Sequence, residues 1–404
     1  MPYPPLDGES VGLFTYTRAF SILGNQVSVL SMNTPKHNFS PHSIPPEIRQ
    51  LADFDAVFVD TSLSPVKAFL NLFTHKSYNI ERFESKDFEK RLIEHLQREK
   101  FDIVELASSY LVPYIPVIRR YSDAPIVVRL QNVENIIWAR LANEQSFWPK
   151  KWYLHLLARR MKQFEFDIPQ QCDALLPVSV VDDAYFRKEI GCQKPMFLLP
   201  YCLDVSQYNT KPTVAATAVT AAPAELSLYY LGALDWAANT QGLEWFLKNV
   251  WPLVHEKYPD LTFYIAGRKM NDEHRKYYQT YPNVLAIGEV PDAEAYHHSK
   301  GIMVVPLLAG SGMRVKIIEA MAWGKPIVAT SIAAEGIEYE NGRDILIADQ
   351  PNAFAHAILR LLNDAVLCEQ MGANARQFVE QKHDVLAVTR QLLQFYAQLK
   401  TAAV

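Results

Sequence analysis

Hydrophobic and polar positions along this chain fall into two patterns. Short uninterrupted apolar runs, rich in Val, Ile and Leu, alternate with longer stretches that place an apolar residue every third or fourth position. The runs predict strands buried on both faces of a parallel sheet, and the periodic stretches predict the helices that cover them. In the first half the runs lie at residues 27–32, 56–60, 101–106, 126–130 and 172–178. In the second half they lie at 226–231, 261–266, 284–287, 302–307 and 327–330. Helical periodicity marks 148–166, 241–255, 313–323, 352–362 and much of 365–399. Ser10 is a candidate cap for a helix to residue 23, and Ser179 for another to residue 185. Strand-helix alternation implies right-handed crossovers, doubly wound sheets, and chemistry at the carboxyl ends of the strands.

Residues 302–338 concentrate the chemical signals. A strand runs into the small-residue turn Ala309, Gly310, Ser311, Gly312, then a helix that carries Arg314, Lys316 and Glu319 between its apolar positions. Gly324 and Pro326 stop that helix. A glycine-rich turn at a helix start leaves backbone N–H groups unpaired near Gly312 and Met313, and these groups attract an anion such as phosphate. Cations in a first turn oppose the helix dipole by roughly 0.3 to 1 kcal/mol each, a conflict that a bound polyanion removes. Glu319 is placed to accept hydrogen bonds from paired hydroxyls such as those of a ribose. A solvated helix face with a surface Lys316–Glu319 pair explains the same residues, and the spacing alone leaves both explanations open.

The stretches GSGMRVKIIEAMAWGKPIVAT and AAEGIEYENGRDILIAD resemble the donor-site signature of the retaining glycosyltransferases of family 4, also called group 1. The resemblance is strong over about the last third of the chain and weak over most of the rest. It implies the GT-B fold, an α/β class with two Rossmann-like doubly wound lobes, a cleft between them and a C-terminal helix that crosses back. On that basis residues 1–205 form an acceptor-side lobe, 206–225 a linker, 226–382 the nucleotide-sugar lobe and 383–404 the returning helix. Residues 210–224, a run of Ala, Thr and Pro with nothing to bury, fit the linker. The family's motif places a Glu at each end of a nine-residue frame. Glu319 corresponds to the second, whereas the first falls on Ser311, as in a subgroup that carries Arg and Lys where this chain has Arg314 and Lys316.

Other positions take roles from the same resemblance. GALDWAAN is similar to the subgroup's GxxDWxxN turn, so Gly232 and Asp235 join the donor set. Val290 matches a loop that meets the base, and Glu335 lies in the acidic segment used around the donor. The turn RLQNVEN resembles an HN-x-E turn, so Asn132 and Glu134 are cleft candidates; equally, Asn132 fits a helix cap and Glu134 a first-turn carboxylate. Asp7 and Gly8 lie in PPLDG, which in the family follows the first strand. Almost nothing precedes that segment here, and the expectation is a strand missing from an assigned start rather than a strand lost, because an interior strand cannot be removed without orphaning its neighbours.

Composition narrows the function classes. Among 404 residues with 49% hydrophobic content, net charge −4 and pI about 6.3, no overall field favours nucleic acid. No apolar run approaches a membrane span, and export through a cleaved leader is not expected. Cys172, Cys192, Cys202 and Cys368 have neither CxxC spacing nor His companions, which suits reduced thiols in the cytoplasm. Neither a metal nor a cofactor is called for, since Arg314 and Lys316 take a metal's role and no Asp-x-Asp ends a strand. The expected partners are a nucleotide-diphosphate sugar and a sugar or lipid-linked acceptor. The basic stretch 148–166 fits a core helix, and alternatively a peripheral contact with anionic lipid at the membrane's inner face. The expected function is a metal-independent hexosyltransferase in cell-surface polysaccharide or glycolipid synthesis. Its rivals are a GT-B epimerase and a non-catalytic nucleotide-sugar binder; a nicotinamide dehydrogenase lacks GxGxxG after any strand.

Overall fold

The computed structural model describes residues 3–5, 8–35, 38–74, 76–143, 145–209, 226–309 and 313–402. The protein divides into two compact units, Met1–Cys202 together with Val388–Val404, and Leu203–Ala387.

Among the described residues the first unit holds five parallel strands in two separate sheets. Strand β1 (Ser28–Asn33) pairs with β2 (Asp53–Phe58) from Ser28 opposite Asp53. Strand β4 (Ile126–Leu130) lies between β3 (Val104–Leu106) and β5 (Ala174–Pro177), and all five β4 residues are buried. Its apolar side chains join Ile115, Ile118, Leu175 and Phe186 in one core. The single doubly wound sheet expected here is thus split. Ser28 and Leu30 of β1 and Val104 and Leu106 of β3 line one cavity of about 130 Å³, roofed by Phe88 and Leu92 of the helix Lys86–Arg98.

The first helix begins at Gly8 and ends at Ile22, so Ser10 lies inside its first turn rather than capping it. Ser179 does cap its helix, its hydroxyl accepting from the Asp182 N–H. The basic stretch forms the helix Trp148–Gln171, and its apolar stripe at Leu154, Leu157 and Met161 is buried. That stripe is core. The last helix, Val385–Ala402, supplies Tyr396, whose hydroxyl donates to Glu105 at 2.8 Å and whose ring stacks on Phe20.

The second unit is built on one six-stranded parallel sheet with the order β11-β10-β9-β6-β7-β8. These strands are β6 (Ser227–Leu231), β7 (Thr262–Ala266), β8 (Val284–Gly288), β9 (Ile302–Val305), β10 (Ile327–Ala329) and the unforeseen two-residue β11 (Leu346–Ile347). The chain winds from β6 outward to β8, then returns to place β9 on the other side of β6. That reversal is the point where open α/β sheets bind ligands, beyond the carboxyl ends of the two adjoining strands. The helix expected over 241–255 is two helices, Ala237–Asn249 and Trp251–Lys257. Pro252 sits near the start of the second, and a proline both lacks an N–H and disfavours helix in the residue before it. Phe246, Trp251, Phe263 and Phe354 fill the core beneath.

Candidate functional site

Strands β6 and β9 end side by side, and the segments that leave them carry most of the candidate residues. From β6 the chain enters Gly232–Trp236 and the helix Ala237–Asn249. From β9 it reaches the helix Val315–Ala322. Gly310, Ser311 and Gly312, between β9 and that helix, lie outside the described residues. The helix starts two residues later than its periodicity suggested. Arg314 occupies the cap position with extended backbone (φ −88°, ψ 92°), Lys316 is the second helical residue and Glu319 the fifth.

Lys316 turns back toward β6. Its Nζ donates to the Tyr230 hydroxyl at 2.7 Å and to Asn239 Oδ1 at 2.9 Å, and lies 4.5 Å from the Tyr230 ring centre. Asn239 in turn donates to the Ala233 carbonyl at 2.6 Å, which fixes the amide's orientation and ties the ammonium to the β6 turn. A Cβ at position 232 would stand 2.6 Å from Lys316 Nζ and 2.8 Å from the Tyr230 hydroxyl, so any larger residue there must displace the ammonium or the phenol. Burial pushes the Lys316 amine down to about 7, with the Arg314 charge adding to the effect. Charge is disfavoured in low dielectric when its partners are neutral.

Arg314 is 6% exposed, and its guanidinium carbon lies 5.2 Å from the Trp236 ring centre. Burial lowers its pKa, opposed by the neighbouring Glu335. Both cations are therefore braced by the β6 segment, one through Asn239 and Tyr230, the other through Trp236. Glu319, on the same helix, is half-buried with no described hydrogen bond to its carboxyl. Burial alone raises that carboxyl to about 7. Tyr208 stands beside it, its hydroxyl pushed up by burial and then by the Glu319 charge, and its ring lies 4.8 Å from Trp323.

The remaining donor candidates surround this centre less tightly. Asp235 is at the surface with its carboxylate 2.9 Å from Lys269 Nζ, an ion pair that lowers its pKa. Val290 and Met313 are half-buried, as is Glu335, the electrostatic neighbour of Arg314. In the first unit, Asp7 lies outside the described residues and Gly8 opens the first helix. Asn132 is exposed and does not cap its helix, since Ile136 and Ile137 donate to the Val133 carbonyl. Glu134 begins the helix Glu134–Asn143 and accepts from Trp138 Nε1 at 3.3 Å.

Sequence reasoning missed the group that holds that turn. The backbone N–H of Asn135 donates to Glu165 Oε1 at 3.2 Å, its side-chain amide donates to Glu165 Oε2 and to the Tyr185 hydroxyl, and the Glu134 N–H reaches the same carboxyl. Glu165 thus caps the start of one helix from the middle of another. It is 2% exposed, and burial raises it to about 7 against the lowering pull of those donors. Tyr230, Asn239, Trp236 and Tyr208 were likewise absent from the candidate set. A signal existed for Trp236 and Asn239, which sit in the GALDWAAN stretch; Tyr230 reads as an ordinary strand residue.

Residues 225–364 match the family described as "Glycosyl transferases group 1". Over 305 residues the chain is 25% identical to the "Uncharacterized 44.6 kDa protein in cps region" of Klebsiella pneumoniae, covering 73% of this chain and 74% of that one. It is 29% identical over 117 residues to "Capsular polysaccharide biosynthesis glycosyltransferase CapM" of Staphylococcus aureus, covering 28% and 30% of the two chains. The fold is similar to that of Anabaena Alr3699/HepE, solved in complex with UDP, with TM-score 0.63 and 13% identity over 98% of this chain and 97% of that one. That likeness concerns architecture, and it identifies the two Rossmann-like units as the GT-B fold.

Proposed function

We propose that the protein transfers a glycosyl group, with retention, from a nucleotide-diphosphate sugar to a sugar or lipid-linked acceptor in the synthesis of a cell-surface polysaccharide or glycolipid. The observation that carries this reading is the setting of Lys316. A half-buried ammonium at the sheet's reversal point is held by two neutral acceptors, with a buried Arg314 on the same segment. A buried ammonium whose described partners are neutral is costly, and a diphosphate placed there supplies opposite charge.

In this reading Arg314 and Lys316 stabilise the negative charge that develops on the departing diphosphate, a preorganised electrostatic contribution that replaces a metal ion. Glu319, with no described hydrogen bond to its carboxyl, takes the ribose hydroxyls. Ser311 and Gly312 complete the phosphate cradle through the family resemblance, with Gly232, Asp235, Met313, Val290 and Glu335 around the rest of the donor. Asp7, Gly8, Asn132 and Glu134 are assigned to the acceptor on the same ground. The work is assigned to the cytoplasm.

Thermal-shift measurement against a panel of nucleoside diphosphates tests the reading. One base class should raise Tm by mass action, and Arg314→Ala should remove most of that rise while leaving the unliganded Tm close to wild type. An equal shift in the variant would overturn the phosphate assignment. Donor consumed or epimerised at the same rate without acceptor would overturn transfer.

A further inference from the structure

Strand β4 of the first unit carries a charge that the fold leaves unmet. Its five residues are all buried between two neighbouring strands, and the fourth is Arg129, 4% exposed. A guanidinium stays charged in proteins and presents five N–H donors, so a buried one is expected to meet carboxylate or carbonyl oxygens. Arg129 does not. Its Nε and Nη1 are buried without a hydrogen-bond partner, and among the described residues it enters no ion pair. Glu105, on the adjoining strand β3, instead accepts from the Tyr396 hydroxyl at 2.8 Å. What the guanidinium does meet is the Tyr16 ring, whose centre lies 4.9 Å from its central carbon.

The helix Gly8–Ile22 supplies a second, independent oddity. Gly12 lies in its second turn, buried, and its φ is not among the positive values that call for glycine. Glycine inside a helix is destabilising relative to alanine, so its presence there asks for a reason in the surrounding space. Among the described residues, and outside the helix's own backbone, a Cβ at Gly12 would have one heavy atom within 4 Å, Arg129 Nη2 at 3.8 Å. Gly12 and the guanidinium therefore face each other across a small niche. Tyr16, one turn beyond Gly12, bounds it on one side, held by its hydroxyl, which donates to the Pro200 carbonyl at 2.8 Å and lies 3.0 Å from Cys202 Sγ.

Chemistry selects the occupant. A neutral ligand would leave the buried charge unmet and a cation would add to it, whereas the planar fork of an arginine matches the paired oxygens of a carboxylate or phosphate. Arg129 also stands three residues before the exposed Asn132, a position assigned above to the acceptor.

We propose that Arg129 anchors an anion site in the first unit, and that its occupant is the acidic group, phosphate or carboxylate, of the acceptor. That the anion belongs to the acceptor rests on the transferase reading; the anion site itself does not.

Calorimetric titration of the full chain with glucose 1-phosphate, glucuronate and glucose tests the proposal, in an Arg314→Ala background that weakens phosphate binding in the second unit. An acidic sugar should bind and glucose should not, and the tighter of the two acids tells phosphate from carboxylate. Arg129→Met should weaken that binding at least about tenfold, and Arg129→Lys, which keeps the charge and loses the fork, by less. Gly12→Ala should weaken it by filling the niche while raising the unliganded Tm, because alanine is the better helix residue and 3.8 Å is ordinary contact. Arg129→Met should leave the unliganded Tm unchanged or higher, since it removes a buried charge that has no anion. With Arg314 restored, the nucleoside diphosphate shift should be the same for Arg129 and for Arg129→Met. Failure of both acidic sugars to bind, or equal binding by Arg129→Met, would overturn the site. A lowered unliganded Tm in Arg129→Met would make the arginine a structural partner of Tyr16, and a lost nucleoside diphosphate shift would give the anion to the donor; either result overturns the proposal.

Discussion

Two carboxyl groups, Glu165 in the first unit and Glu319 in the second, are raised by burial to the same value, about 7. Their surroundings are opposite. Glu165 is met by the amide and backbone N–H of Asn135 and by the Glu134 N–H, whereas Glu319 has no described donor. A raised carboxyl pKa by itself therefore does not distinguish a structural group from a binding group. What distinguishes them is whether the protein supplies the hydrogen bonds that a buried carboxylate requires. At Glu165 it does, and the acid fastens two helices; at Glu319, on the proposed function, a ligand brings the donors.

Substituting each acid gives the largest test of that contrast. Glu319→Gln should weaken nucleoside diphosphate binding about 10- to 100-fold, the worth of hydrogen bonds to a charged acceptor, without destabilising the unliganded chain. Glu165→Ala should do the reverse, lowering stability by about 2 to 4 kcal/mol through orphaned donors while leaving nucleotide affinity unchanged. Calorimetric titration and denaturant unfolding of both variants check this. Two variants with the same profile would erase the distinction.

A pH series sharpens it further. On the proposed function, binding uses Glu319 ionised, to accept from hydroxyls, and Lys316 protonated, to meet phosphate, and both groups sit at about 7 in the free protein. Below that value Glu319 holds its proton; above it Lys316 has lost its own. Nucleoside diphosphate affinity should peak near neutrality and fall toward tenfold per pH unit on each side. Glu319→Gln should flatten the acid limb alone, and a bell with two unchanged limbs in that variant would remove Glu319 from the site.

The sequence exposed some of this and hid the rest for physical reasons. Apolar runs located β6, β9 and β10 to within a few residues because a parallel strand buried on both faces tolerates no polar interruption. Residues 101–106 yielded only three strand residues, since β3 is the edge of its sheet and has a partner on one side only. Arg314, Lys316 and Glu319 stood out as charges set against a helix's preferences, a local signal. Tyr230 and Asn239, which hold Lys316, are 86 and 77 residues away from it, and Asn135 is 30 residues from Glu165, so those pairings exist only after folding. The apolar spacing at Val66, Phe69, Leu70 and Phe73 is the spacing of a core helix, yet all four are exposed. Periodicity reports that a helix has two faces and is silent on which one the protein keeps inside.

The remaining test is the most selective. Because the folded pKa of Glu165 is raised from 4.5 to about 7, the native chain keeps a proton that the unfolded chain has released between those values. Stability from this group is complete below the unfolded pKa and is lost as pH rises through the folded one. Glu165→Gln retains an acceptor for the Asn135 N–H and cannot ionise. Relative to wild type it should gain about 2 to 3 kcal/mol between pH 5 and 8 and then run parallel. Glu319 contributes a similar loss in both proteins and cancels in the difference. Denaturant unfolding at half-unit pH steps gives that difference directly. Curves parallel from pH 5 onward would mean that Glu165 ionises freely within its cluster of donors, and its likeness to Glu319 would then end at burial.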